Sequence, residues 1–297
     1  MHGREQILAE VSRWLDAYVW LERELGERRE FRFQSLVAGN GPGNPVGVAR
    51  AARKAMDLES ETPVPNICRL LEESGVKVLL LDRKRKSFFG LSVGQEDGGP
   101  AVVVNVWDRI SVERWIFTAA HELGHLLLHP REFDREATDL PEKTERQADR
   151  FASEFLMPES AFKTEWNATL GFPLVERVLT VKRIFRVSYQ TVLHRLVQGG
   201  HEGHEVWGVF QNRYRNRYGR TLEKWNEPDA LKTSEFGWKW PRAGEPAALS
   251  EHDFPRDRLS LLVRRATEDG HISLSRGAEI LGIPLEEMRG WAGDWAR

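Results

Sequence analysis

The residues of this chain best suited to chemistry stand together in the run His121-Glu122-Leu123-Gly124-His125. On a helix, side chains four positions apart share a face, so both imidazoles reach one metal ion. Glu122 projects about a quarter turn away, where a carboxylate takes a proton from water that the ion has made acidic; zinc brings the pKa of such water to about 7. The competing reading makes both residues core histidines bonded to backbone.

A catalytic zinc ion ordinarily has three protein ligands and one open position, so a third donor must come from another element. A second helix is expected over about 141–156, between Pro141 and Pro158, with Ala148, Phe151, Ala152, Phe155 and Leu156 marking its apolar arc. Glu145 falls inside that arc, Asp149 at its edge and Glu154 on the opposite, solvent side. A carboxylate on a packed face is costly unless a cation meets it. Glu145 is therefore the expected third ligand, and one Zn2+ per chain the expected ion. Asp149 either orients a ligand histidine or serves as a surface or capping group. His129 continues the four-residue series, but a straight helix drifts by about 40° per step, which suits a tetrahedral ion badly. It reads instead as a helix C-terminal residue before Pro130, favoured by the helix dipole.

The elements that position these groups follow from periodicity. An apolar helix spans about 111–129, with Ser111 as N-cap and Glu113 in its first turn. Ile116, Phe117, Ala119, Ala120, Leu123 and Leu126–Leu128 cover most of its faces, so it should be buried. Three strand-like runs precede it, Val76–Leu81, Phe88–Val93 and Ala101–Val106, the last being a candidate edge for pairing with an extended substrate or else an ordinary interior strand. An amphipathic helix over 4–25, a Gly/Pro turn over Gly39–Gly47 and a short helix between Pro65 and Gly75 come before them. Residues 173–197 read as two helices turning around Arg186–Ser188, residues 205–255 have little periodicity, and the last forty residues are again helical. The division expected is 1–60 as helix and linker, 61–200 as the zinc domain and 201–297 as an extension.

The chain has 297 residues, 40% hydrophobic and 30% charged, the proportions of a soluble globular protein. A net charge of −2 offers no global attraction to nucleic acid or anionic membranes. The single cysteine, Cys68, sits among Ile67, Leu70 and Leu71 and reads as a core residue in a reducing compartment. No apolar segment follows Met1–Gln6, and no run approaches a membrane span, so a cytoplasmic location is expected.

Three blocks resemble the ImmA/IrrE metallo-endopeptidases: Phe117 to His129, Glu145 to Ala152 ending in Phe155-Leu156-Met157-Pro158, and Phe185-Arg186-Val187-Ser188 with His194-Arg195-Leu196. The likeness covers about 63–200. It implies an α+β fold with a thermolysin-like zincin core, a small sheet beside two active-site helices; the apolar pattern after residue 200 adds the expectation of a mainly helical C-terminal extension. It also implies His121, His125 and Glu145 as ligands, Glu122 as general base, and a helix-turn-helix repressor as the protein substrate, whose cleavage derepresses stress-response or mobile-element genes. Many relatives carry a helix-turn-helix domain ahead of the peptidase, for which residues 1–60 offer too little.

Two segments admit binding roles. Ser273–Trp291 has the apolar spacing of a helix-turn-helix, with Gly282 at the turn, but Glu286 and Glu287 oppose phosphate contact, so a packing or docking bundle is favoured over a DNA reader. Arg213, Arg215, Arg217 and Arg220 interleave with Tyr214 and Tyr218, a pattern able to stack on bases, with a solvated basic face the favoured alternative. His194, His201 and His204 are outlying candidates for steadying an oxyanion. A regulator that keeps the zinc fold but acts by binding a repressor or DNA is the alternative to an enzyme; Glu122, which a pure binding module does not need, tilts the reading to catalysis.

Overall fold

The computed structural model describes residues 2–38, 44–85, 87–130, 142–223, 225–232, 235, 245–255 and 257–295. Most of the Gly39–Gly47 turn, Pro141 and part of the Trp-rich stretch lie outside these residues.

Helices α1 (His2–Glu24), α2 (Gln34–Ala38), α3 (Pro45–Ala55) and α4 (Ile67–Glu73) precede the strands β1 (Lys77–Leu81), β2 (Gly90–Val93) and β3 (Ala101–Asn105). Then follow α5 (Val112–Leu128), α6 (Glu142–Leu156), α7 (Glu159–Ala168), α8 (Leu174–Phe185), α9 (Tyr189–Gln198), α10 (Val206–Tyr218), α11 (Arg258–Glu268), α12 (Leu274–Leu281) and α13 (Leu285–Trp295). The fold is α+β, a small sheet among many helices, as expected.

The sheet order is β1-β3-β2, with β1 parallel to β3 and β2 antiparallel to it. This corrects the reading of the 101–106 run as a possible edge: β3 is central, and its five residues are all buried. Side chains alternate across the sheet. Val78, Val102 and Val104 join a core shared with α5, α6, α8 and α9, while Leu79, Leu81, Ala101 and Val103 join a second core built by α1 and α11–α13. Burial on both faces explains why β1 and β3 read as continuous apolar runs rather than alternating ones.

Three further corrections concern helices. Helix α3 occupies a stretch expected to be linker; it packs on α6 through Ala49, Ala52 and Arg53, too small and too polar a face to show as periodicity. Helix α10 lies in the stretch expected to be irregular, burying Val206, Phe210 and Tyr214 at four-residue spacing. Glu154, placed on the solvent side of its helix, is 1% exposed. It sits between Arg50 at 2.9 Å and Arg195 at 3.4 Å, because α3 and α9 cover the face that the apolar arc of α6 leaves free.

Buried charge also joins α5 to the later helices. Lys182 on α8 lies 2.6 Å from Glu113 in the first turn of α5 and 3.3 Å from Glu227. The Tyr189 backbone N–H donates to Glu227 at 2.8 Å. Among the described residues no helix is long and apolar enough to cross a membrane.

Candidate metal centre

Helix α5 starts at Ser111, whose hydroxyl accepts from the Arg114 backbone N–H, and ends at His129, so one uninterrupted helix carries residues 121–125. Its closest neighbour is α6, and Gly124 sets how near the two come. A β-carbon there would stand 3.0 Å from the Phe151 ring, so glycine inside the histidine motif lets α6 lie against α5. Glu145, one turn into α6, thereby reaches the histidines.

The structure brings together His121, His125 and Glu145, with a ligand-capable atom from each within 4.8 Å of the others. The two Nε2 atoms are 3.0 Å apart, and each lies 3.4 Å from a Glu145 oxygen. Behind them the Nδ1 atoms are engaged. Asp149 Oδ1 is 2.9 Å from His121 Nδ1, so of its two foreseen roles the geometry carries the orienting one. His125 Nδ1 is 3.2 Å from His129 Nδ1, and His129 Nε2 is 3.0 Å from Gln147 Oε1. His129 is the C-cap of α5, as its place before Pro130 suggested, but it is 6% exposed and backs a ligand candidate, which the sequence reading missed. Gln147 was missed too; its only signal is a place in the Glu145–Ala152 block.

These contacts dictate the tautomers. Asp149 accepts from His121 Nδ1–H, so Nε2 is the nitrogen that gives up its proton when an ion binds. If Gln147 Oε1 accepts from His129 Nε2, then His129 Nδ1 accepts from His125 Nδ1, and His125 Nε2 is bare. Two imidazole lone pairs and a carboxylate converge on one point, a donor set that fits a zinc ion.

Electrostatics agree. Burial opposes charge on His121, but hydrogen bonds to Asp149 and Glu145 and the charge of Glu122 outweigh it, raising its pKa to about 10 when no cation competes. Glu145 is held well below the carboxylate range by its bonds to His121 and His125. Its side chain is 47% exposed, which corrects the expectation of a packed acid: the pull comes from the histidines, and the open side faces solvent. Glu122 is pushed up by burial, partly offset by His121 and His125. The Ser92 hydroxyl of β2 bonds to it. Strand β2 comes this close because Gly90 has no side chain; a β-carbon there would meet the Thr118 methyl at 2.6 Å and Glu122 Oε1 at 3.1 Å.

Residues 71–197 match a peptidase family model described as the IrrE N-terminal-like domain. Over this segment the chain is similar to the ImmA/IrrE metallopeptidases. The segment begins within α4 and ends within α9, and so holds the whole sheet, α5, α6 and every group named above. No curated protein matches the chain.

The other candidates fall outside the candidate metal centre. His201 faces Glu159 at 3.6 Å, and His194 packs edge-on against Trp207, with burial lowering its pKa. His204 belongs to the turn before α10. Cys68 is wholly buried in the main core. Tyr214 is buried and stacked on Phe210, and Arg217 pairs with Glu176, so the Arg/Tyr run does not present a row of stacking platforms. Helices α12 and α13 turn at Gly282 (φ +69°) and bury Met288 against α11 and α12.

Proposed function

We propose that the ImmA/IrrE-like domain is a zinc-dependent endopeptidase, with His121, His125 and Glu145 as zinc ligands and Glu122 as general base. The observation that carries this reading is the convergence of two imidazole Nε2 atoms and one carboxylate beside a second, buried carboxylate that bonds to none of them. Zinc supplies Lewis acidity toward the scissile carbonyl and toward water. Glu122, whose burial raises its pKa and so makes its carboxylate a stronger base, takes a proton from the attacking water and passes it to the leaving amine. Asp149 and the His129–Gln147 pair hold the imidazoles in one orientation. Strand β2, paired on one side only with β3 among the described residues, offers backbone to an extended substrate segment alongside Glu122.

The substrate proposed is a protein partner, a helix-turn-helix repressor, in the cytoplasm; the family resemblance supports that class. The test measures zinc content and partner cleavage for wild type and Glu122→Gln. Near one zinc per chain in both, with cleavage only in wild type, is expected. Equal biological activity of the two proteins would leave a binding regulator as the better account.

A further inference from the structure

Seven positions before His121 and eleven before His125, Arg114 lies about 20° to either side of each on the helix wheel, on the same stripe and about 10 Å nearer the start of α5 than His121. Its guanidinium carbon stands 4.5 Å from the centre of the Phe89 ring and 5.6 Å from that of Phe117. Phe117 in turn is 6.5 Å from the His121 ring, and Phe89 immediately precedes β2. Trp225, 42% exposed, stacks on Phe89 at 5.8 Å and extends the aromatic surface.

A cation this firmly shelved normally has an acid beside it. Among the described residues no carboxylate lies within ion-pairing distance of Arg114; the charge that acts on it is that of Asp149, which is committed to His121. The residue is exposed, and its guanidinium lies against Phe89, the residue that leads into β2. Two ring faces fix the plane of the guanidinium and leave its edge, the part that matches a carboxylate, free.

We propose that Arg114, on its shelf of Phe89 and Phe117, is a subsite for a carboxylate side chain of the substrate. The inference rests on the endopeptidase reading and deepens it. Strand β2 runs along α5 from the Arg114 end toward Glu122, as the contacts of Phe89, Gly90 and Ser92 show. A segment paired antiparallel to it passes the metal centre first and Arg114 later. At about 3.3 Å per residue the 10 Å separation places the acidic residue about three positions to the C-terminal side of the scissile bond. An Asp or Glu there meets a bidentate, charge-assisted partner.

The experiment digests a mixture of proteome-derived peptides with the zinc-loaded full chain and maps the new termini by mass spectrometry. Wild type should show Asp and Glu enriched two to four residues beyond the cut, and a synthetic peptide with Glu at that position should be cleaved about tenfold more efficiently than its Gln counterpart. Arg114→Gln should abolish the enrichment at unchanged zinc content, Arg114→Lys should keep part of it, and Arg114→Glu should favour Lys and Arg. Cleavage by wild type without acidic enrichment, or the same profile from Arg114→Gln, overturns the subsite while leaving the endopeptidase standing. No cleavage of any peptide or protein by zinc-loaded wild type overturns both.

Discussion

Replacing His129 with alanine separates a ligand's geometry from the ligand itself. His125 is 3% exposed at its side chain, and its Nδ1 proton has His129 Nδ1, at 3.2 Å, as its acceptor. Without that ring the proton is buried and unpaired, at a cost of about 1–3 kcal/mol. The ring of His125 also loses the contact that fixes its tautomer and tilt. Loss of an outer hydrogen-bond partner of a metal-ligating histidine weakens binding by roughly 10–100-fold, an interval that the desolvation estimate brackets. Zinc affinity is measured by competition with a chromophoric chelator, and urea unfolding of the metal-free proteins shows whether the variant still folds. His129→Gln, whose amide oxygen can accept from His125, should recover a large part of the lost affinity, whereas an effect due only to the cavity left by the ring would not depend on an acceptor. A folded His129→Ala protein that binds zinc within threefold of wild type would refute the relay from Gln147 through His129 to His125.

Removing a ligand should cost more: Glu145→Ala is expected to lower zinc affinity on the order of a hundredfold or beyond, and a variant that binds like wild type takes Glu145 out of the site. Asp149→Ala should fall roughly tenfold by the same titration, since it frees His121 to rotate but leaves all three ligands. Glu154→Ala leaves buried Arg195 with only Glu159, at 3.5 Å, as its acid and should lose about 1–3 kcal/mol in urea unfolding with the zinc stoichiometry intact. Burial, helped by the charge of Glu113 and opposed by Lys182, pushes the Glu227 carboxyl from 4.5 up to about 7, so the native state binds that proton more tightly than the unfolded chain. The stabilisation is present below pH 4.5 and is lost as pH rises through 7, on the order of 3 kcal/mol. Unfolding free energies of wild type minus Glu227→Gln should fall across that window, and a flat difference would refute the shift.

How much of the centre could be read from sequence depended on what each helix packs against. Both α5 histidines and Glu145 were legible because their spacing is local and their helices have strong apolar stripes. Glu154 was misplaced by the same reasoning: the apolar arc of α6 shows only the face that meets hydrophobic neighbours. The opposite face is closed by Arg50 and Arg195, from segments about a hundred residues before and some forty after, and no pattern within α6 announces them. Helix α3 was lost for a related reason. Alanines and an arginine that donates to the Phe155 carbonyl at 2.7 Å make a tight interface without an apolar signature, although Asn44 and Pro45 mark its start.

The order of the strands was hidden more deeply, since pairing partners are set by tertiary closure and not by any strand's own residues. It has a direct consequence for function. With β3 in the centre, the edge beside the catalytic helix is β2, a strand of four half-buried residues that begins with glycine. Gly90 gives up side-chain packing so that backbone, Ser92 and Glu122 come within bonding reach of one another. A larger residue at 90 would have to push β2 off α5, moving the strand edge and Glu122 apart. The ligand set would stay in place, because His121, His125 and Glu145 depend on Gly124 and not on Gly90. The proposed metal site and the proposed substrate edge thus rest on two different close contacts of the same helix, one against α6 and one against β2.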